Sequence, residues 1–488
     1  MSDTKSAPRP SGSKAVHPVD EVLPPQRLAI LGLQHLFIMY AGAVAVPLIV
    51  GPAVGLDEKD IGILVSADLL VSGIASIIQS VGIGKVMGVR LPVVAGATFT
   101  VLNPMIIIAN KYGIQAVYGA MICSGIFGLL IAKPFSMILR FFPPLVTGTV
   151  ITVIGLSLIG ADISLIAGDQ YSTNHATGVL TPNPSFGTPS HIALAGLVIL
   201  LIVLITRFTT GFISQIAVLI SIIIGTLVAW PMGLIDFSEV SNAKWFGIAE
   251  PFHFGAPTFK FAAIASMCIV MLVTYTESTA DMLAVGEMVD KDLSPNDLAR
   301  GLATDGLSGL LAGFMNSFPD TAYAENVGLI AMTKVKSRWV VTVCGGLLLL
   351  MGVIPKIGQI VAGLPGPVIG GAATVMFAMV TSIGIRTLHK VDFEDNHNLL
   401  IVATSLAVGL IPAFNPAIYQ QFPDWFQTIF GSAITSTVIV VFLLNLLFNH
   451  FNAPPEAGTN VLQEAMEHGG VSRDENDDDY PQPPHSHH

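Results

Sequence analysis

The sequence predicts an all-α polytopic membrane protein of fourteen transmembrane segments, arranged as two inverted repeats of seven. Three observations predict it. Of its 488 residues 52% are hydrophobic and only 11% charged, with a mean hydropathy of +0.70, far outside the soluble range. Apolar runs long enough to cross a hydrocarbon layer about 30 Å thick recur from Leu28 to Phe448. These runs are continuous rather than alternating, which excludes a β-barrel. Finally, the basic residues alternate from loop to loop in the manner that sets membrane orientation.

A polar leader over residues 1–26, opening MSDTKSAPRPSGSK, is expected to be disordered and cytoplasmic. No small-residue cleavage site follows the first apolar run, so that run reads as a retained helix rather than a signal peptide. The first repeat, residues 27–235, places segments near 28–50, 61–81, 92–109, 114–133, 141–162, 190–206 and 212–234. The second repeat, residues 236–450, places them near 260–288, 300–316, 321–335, 338–355, 367–385, 398–413 and 432–449. The tail, 451–488, carries DENDDDY and a terminal HSHH; it supplies much of the net charge of −11 and is expected to be disordered, acidic and cytoplasmic.

Loops placed on the cytoplasmic side by this count carry twelve basic residues, Lys85, Arg90, Lys133, Arg140, Arg207, Lys291, Arg300, Lys334, Lys336, Arg338, Arg386 and Lys390. The opposite loops carry five, Lys59, Lys111, Lys244, Lys260 and Lys356. A cell-membrane protein with both termini in the cytoplasm is the expectation. Seven segments per half is an odd number, so the halves must face opposite ways, which is the plan of many secondary transporters.

The third segment of each half is anomalous in the same way. LPVVAGATFTVLNPM (Leu91 to Met105) and NSFPDTAYAENVGLIAMTK (Asn316 to Lys334) each set a small or polar stretch beside a proline, with an aromatic inside it. Irregular backbone at membrane depth persists only where protein buries it or where it lines a cavity. Two such stretches in matched positions point to a binding site between them.

Ionisable residues inside the segments are few, and each is a functional candidate. They are His35, Asp68, Glu277, Asp281, Asp305, Asp320 and Glu325. Glu277 and Asp281 lie four apart in TYTESTAD and share a helix face, where their repulsion is relieved when one holds a proton. Asp305 is read as either a ligand contact or a brace for the broken tenth segment. His35 is read as either a buried structural histidine or a coupling residue. Asp68, with Ser66 and Ser72 nearby, is expected to hydrogen-bond between helices, and Asp162 and Glu287 are expected to be solvated at helix ends. Cys123, Cys268 and Cys344 show no metal-ligand spacing and are expected to fill the core. No metal or cofactor is expected, and neither a metal triad nor a nucleophile–base pair suggests an enzyme.

Glu325 to Lys334, ENVGLIAMTK, resembles the signature of the nucleobase–ascorbate transporter family, and the resemblance extends to Gln34–His35, Glu277, Asp281 and Asp305. It implies core (segments 1–4 and 8–11) and gate (5–7 and 12–14) domains, a homodimer, and elevator-like motion of one domain against the other. It also implies nucleobase binding by Glu277, Glu325 and Asn326, with Phe99 stacking on the ring and backbone near Ala324 donating. Proton coupling or site support falls to Asp305, Asp281, His35 and Thr100, the coupling ion being H+. Partners expected on this basis are a nucleobase, a proton, membrane lipid and a second copy of the chain, with no nucleic acid. The first segment and ESTAD are similar to the bacterial urate and xanthine permeases, which usually carry Gln where this chain has Glu325. A glutamate there resembles the uracil permeases, so uracil stands as the alternative; a channel is a weaker reading, because isolated carboxylates on opposed broken segments suit an occluding carrier.

Overall fold

A computed structural model describes residues 17–168, 170–173 and 180–450. Most of the expected leader and the whole acidic tail with its histidines lie outside the described residues. The first half runs α1 (Pro25–Ala53), α2 (Glu58–Val81), β1 (Ala95–Ala97), α3 (Leu102–Tyr112), α4 (Ile114–Met137), α5 (Pro144–Ala167), β2 (Tyr171–Thr173), β3 (Leu180–Pro182), α6 (Pro189–Phe208), α7 (Phe212–Gln215), α8 (Ala217–Ala229) and α9 (Ser238–Asn242). The second runs α10 (Phe261–Met288), α11 (Pro295–Met315), β4 (Asp320–Ala322), α12 (Ala324–Thr333), α13 (Trp339–Gly352), α14 (Pro355–Ala362), α15 (Gly366–Leu388), α16 (Asn396–Phe414), α17 (Asp424–Phe430) and α18 (Ala433–Asn445).

Among the described residues nine helices are long and apolar enough to cross a membrane, or ten if α13 and α14, bent by 81° at their junction, count as one span. The other four expected segments coincide with α3, α8, α11 and α12. Three of these are short, and α11 carries Asp297, Arg300 and Asp305.

Local sequence explains where the key helices begin and stop. Ser294 accepts from the Asp297 amide while Asp297 accepts from the Ser294 amide, a capping box that starts α11 with Pro295 in its first turn. The same helix ends on Asn316 in the left-handed conformation (φ 58°, ψ 43°), which asparagine tolerates better than most residues. Its side-chain amide is held by the Glu250 carbonyl at 2.9 Å. That turn throws the chain out of α11 and into β4.

Packing sorts the helices into two groups. In one, α2 lies against α1, α11, α13 and α14, while α4 lies against α10 and α11; in the other, α5 lies against α15, α16 and α18, and α15 against α6 and α8. Small residues allow the closest approaches, as in other membrane helix pairs. A Cβ on Gly125 of α4 would stand 2.3 Å from the Leu310 amide of α11, and one on Gly155 of α5 would stand 2.2 Å from Thr381 Oγ1 of α15. Either substitution would push a helix pair apart.

Three sequence expectations need correction. The described end of the leader is docked: Pro18–Asp20 form a 3-10 turn, Val19 is buried, and the Arg338 amide donates to the Val19 carbonyl while Arg338 Nε meets Asp20 at 2.7 Å. Asp162 is not solvated. It is 1% exposed, because α15 crosses the end of α5 and Thr374 donates its hydroxyl to the carboxylate. Asp68 is not served by the serines near it in sequence: Ser66 donates to the Gly62 carbonyl and Ser72 to Asp320, leaving the Asp68 oxygens without a well-formed hydrogen bond and with only the Ser317 hydroxyl turned toward them. Among the described residues the three cysteines are free, and Cys344 is fully buried.

Candidate functional site

The two anomalous stretches meet. β1 pairs antiparallel with β4, setting Ala95 opposite Ala322, Gly96 opposite Thr321 and Ala97 opposite Asp320. Pairing continues at both ends, where the Thr98 amide donates to Pro319 at 3.0 Å and the Tyr323 amide to Val94 at 2.9 Å. In hydrocarbon every backbone group needs a partner, and two extended pieces from opposite halves supply each other. Small residues on β1 let the pair sink among the helices, all three being buried.

Neighbouring helices clamp each strand by hydroxyls. Ser76 of α2 accepts from the Ala95 amide at 2.9 Å and donates to its carbonyl at 3.1 Å, and Ser278 of α10 accepts from the Ala322 amide at 3.0 Å. Each strand then feeds a helix start. Thr98 accepts from the Thr100 amide at 3.2 Å, capping a 3-10 turn over Phe99–Val101 that leads into α3, whereas β4 passes through Tyr323 into α12. A helix start offers amides without intrahelical acceptors and a partial positive charge, so both starts suit an electron-rich ligand.

Glu277 of α10 faces this junction. One of its oxygens accepts from Thr100 Oγ1 at 3.0 Å and from Thr98 Oγ1 at 3.4 Å, at the long end of the hydrogen-bonding range. Asp281 follows one turn later, and Glu277, Asp281 and Glu325 are close enough to act on one another electrostatically. None of the three forms an ion pair with Lys, Arg or His among the described residues. Phe99 is 9% exposed and meets Phe377 of α15 edge to face, centroids 5.5 Å apart at 88°. Glu325, in the first turn of α12, lines a cavity of about 50 Å³ with Phe37, Gly42, Gln215, Tyr323 and Met376. A smaller recess beside Glu277 is lined by Phe142, Val146, Thr147 and Val438. Both recesses lie where the two helix groups meet.

Other expected site residues sit elsewhere. Asn326 turns away from the cavity and fastens α12 to α1, its Nδ2 lying 3.0 Å from the His35 carbonyl and 3.0 Å from His35 Nδ1. His35, 3% exposed, belongs to that fastening. Asp305 accepts from Gln79 Nε2 at 3.1 Å, and the same Gln79 accepts from the Val89 amide, so the trio locks α11, α2 and the chain entering β1. Asp320 is a brace too, accepting from Ser72 at 2.7 Å and Ser308 at 2.8 Å. Ala324 stands half-buried at the start of α12.

Several neighbours were not foreseen as site residues. Thr98 stands in the TFT of the third segment and could have been chosen with Thr100. Gln215 and Phe377 come from the other helix group, and nothing in their local sequence marks them. Among the described residues no group of three or more His, Cys, Asp or Glu is placed to hold a metal. The arrangement offers carboxylate acceptors, hydroxyls, amide donors and an aromatic ring around a small space, a set suited to a flat heterocycle bearing N–H beside C=O.

Residues 26–418 match the model of a permease family. The chain is 41% identical over 448 residues to the uric acid transporter UacT of Escherichia coli (strain K12), with 91% of each chain covered. It is 41% identical over 422 residues to the xanthine permease of Bacillus subtilis (strain 168), covering 86% of this chain and 94% of that one. Among solved structures it resembles the transmembrane domain of a cyanobacterial bicarbonate transporter, BicA, with a TM-score of 0.56 at 13% identity, over 86% of this chain and 97% of that chain. That last likeness is one of fold.

Proposed function

The chain belongs to the permease family of nucleobase–ascorbate transporters and is a transporter rather than an enzyme, and from that premise we propose that it is a proton-coupled symporter. It imports an oxidised purine, urate or xanthine, across the cytoplasmic membrane. The observation that carries the reading is Glu277, held by Thr98 and Thr100 at the junction of the paired strands, beside Phe99 and within electrostatic reach of Glu325.

In this reading the ligand enters between the two helix groups. Its ring lies on Phe99, its N–H groups donate to Glu277, and its carbonyl oxygens accept from amides at the start of α12 near Ala324. Urate is largely anionic at neutral pH, and a negative ligand placed among three carboxylates with no paired cation is strongly disfavoured. A proton taken up with the ligand removes one of those charges, which supplies a physical reason for coupling. Glu277 and Asp305 are the candidate carriers, with Asp281 beside Glu277 and His35 and Asn326 holding α12 in place.

The finer architecture belongs to the same proposal. Fourteen segments form two inverted repeats of seven; α1–α4 and α10–α14 are the moving core, and α5–α8 and α15–α18 the gate. The core slides against the gate in a homodimer whose termini are both cytoplasmic. Opposed orientation agrees with the antiparallel pairing of β1 and β4.

Uracil is a second reading, favoured by one observation. Ionised Glu325 only accepts hydrogen bonds, where a glutamine would also donate to a carbonyl oxygen of an oxidised purine. Competition of labelled xanthine uptake by urate, uracil, guanine and hypoxanthine decides between them: block by urate and xanthine at concentrations where uracil has no effect is expected. Uptake should rise as the outside is acidified and collapse with a protonophore. Uptake driven fully by a sodium gradient alone would remove the proton from the proposal.

A further inference from the structure

Helix α2, which packs against the paired strands, carries Asp68. It is 1% exposed and neither of its carboxylate oxygens has a hydrogen-bond partner. Its neighbours are unusual as well. Asp320, fully buried, lies close enough to act on Asp68 electrostatically, and its two oxygens already accept from Ser72 and Ser308. The hydroxyl of Ser317, at 0% exposure, adjoins the Asp68 carboxylate and is the donor turned toward it, without the geometry of a well-formed hydrogen bond. Tyr323 is 4% exposed, its hydroxyl is unpartnered, and it lies within electrostatic reach of Asp68, Asp320 and Glu325.

An ionised carboxylate in such a place needs several donors or a cation, and Asp68 has one poorly placed hydroxyl, that of Ser317, and no cation. The charged and titratable groups on every element packed against α2 are committed elsewhere. From α1, Arg27 is exposed, His35 is held by Asn326 and Tyr40 packs against a hydrophobic cluster; from α11, Asp305 is held by Gln79 while Arg300 pairs with Asp297; from α13, Cys344 is packed in the core; from α14, Lys356 donates to the Val240 carbonyl at 2.6 Å. Arg338, at the end of α2, donates to the Ser80 and Val81 carbonyls and to Asp20. Among the described residues this leaves Asp320 as the facing charge, and its sign is wrong.

We propose that Asp68, with Asp320, Ser317 and Tyr323, forms a second proton-binding site between α2 and the paired strands, connected to the ligand cavity through the Tyr323 hydroxyl. A proton on Asp68 turns an orphan anion into a donor toward its oxygen-rich neighbours and leaves the braced Asp320 as the single charge of the pair. Tyr323 makes the connection because it belongs to both places. It lines the cavity with Glu325, and its hydroxyl lies so close to α1 that a Cβ on Gly42 would stand 1.9 Å from it. Ligand arriving at Glu325 therefore presses on the side chain that shields the buried proton. The coupling role rests on the transporter reading; the presence of the proton does not.

Two measurements separate those claims. Infrared difference spectroscopy on the purified protein reads the proton directly: the C=O band of a buried protonated carboxylic acid should be present in the parent and absent in Asp68→Asn, whatever the protein transports. A band unchanged by the substitution overturns the site. In proteoliposomes, Asp68→Asn should retain exchange of labelled xanthine for unlabelled xanthine while losing tenfold or more of the accumulation driven by an imposed pH gradient. Full accumulation with the parental pH profile overturns the coupling role. Failure of the parent to move xanthine at all instead refutes the function proposed above and leaves the infrared result standing. Should Asp68→Asn not reach the membrane, Ser317→Ala supplies the test: displacement of the infrared band supports the site, and an identical band overturns it. Thermal stabilisation of the parent by sodium chloride but not by choline chloride, lost in Asp68→Asn, would overturn the proton in favour of sodium.

Discussion

The two broken stretches are alike in backbone and unlike in chemistry. Each leaves a short strand for a helix start, and the strands pair residue for residue from Ala95 with Ala322 to Ala97 with Asp320. Yet the first, AGATFT, carries no charge and contributes Phe99 and two threonine hydroxyls. The second, DTAYAEN, brings Asp320, Tyr323, Glu325 and Asn326. The first stretch thus shapes a surface and positions a carboxylate that belongs to α10, whereas the second carries its own charges and the tie to α1. Backbone symmetry solves the problem of burying irregular chain in lipid; under the proposed function, chemical asymmetry would let the junction distinguish one ligand edge from another.

The largest expected effect tests the carboxylate that the first stretch positions. Glu277→Ala removes the acceptor shared by Thr98 and Thr100, and a charge-assisted hydrogen bond is worth about 1.5–3 kcal/mol. Uptake should be abolished while the protein still reaches the membrane at parental levels. Normal uptake would mean that the charged second stretch suffices alone.

Next comes the packing of the second stretch. Gly42→Ala puts a methyl 1.9 Å from the Tyr323 hydroxyl, so the tyrosine must move. Overpacking of this kind typically costs about 1–3 kcal/mol. A lower melting temperature in detergent and roughly tenfold weaker uptake are expected, a tenfold change corresponding to about 1.4 kcal/mol. Unchanged melting and uptake would show that Tyr323 is not held rigidly against α1.

Glu325→Gln sharpens the comparison at the ligand's edge. The amide keeps the shape, removes a negative charge and adds two N–H donors, so urate should gain on uracil by about tenfold in apparent affinity, or about 1.4 kcal/mol. Competition uptake of urate, xanthine and uracil at two pH values checks it. The same ranking at both would make Glu325 a support for α12 rather than a reader of the ligand.

The smallest effect belongs to the aromatic of the first stretch. Phe99→Leu keeps apolar volume but loses the ring face, and aromatic pairing contributes about 0.5–1.5 kcal/mol beyond burial. Apparent affinity should fall by about twofold to tenfold for every ligand alike. A change confined to one nucleobase would show that Phe99 discriminates, contrary to the division of labour between the stretches.

Much of this candidate site is legible in the sequence. Rare acids in apolar runs single themselves out, and both broken stretches announced themselves by proline and small polar residues where helix should continue. The misreadings share one physical cause, which is that a side chain's partner is set by which helix lies across from it. Asp162 stands near the end of α5, where linear position suggests water, but α15 passes there with Thr374. Asp68 has serines nearby in sequence, yet those hydroxyls are spent on Gly62 and Asp320. Asn326 adjoins Glu325 in the chain, and on a helix adjacent residues point apart by about 100°. Its amide accordingly reaches His35 while Glu325 faces the cavity.

By itself the sequence determined that the chain lives in a membrane, that its helices recur along the whole length, and that a few acids and two interrupted segments are its candidate site. Those properties are local, because hydropathy, helix caps and prolines act over one or two turns. Tertiary structure alone decided that the interrupted segments pair with each other, that Thr98 and Thr100 hold Glu277, and that Phe377 and Gln215 from the other helix group stand at the junction. It also decided which acids are braced, as Asp305 and Asp320 are, and that Asp68 is left without a well-formed hydrogen bond. The physical reason is that a polar group's fate inside a membrane depends on the donors within about 3 Å of it. Those donors come from helices hundreds of residues away, as Ser72 does for Asp320, so only the packed fold brings them into place.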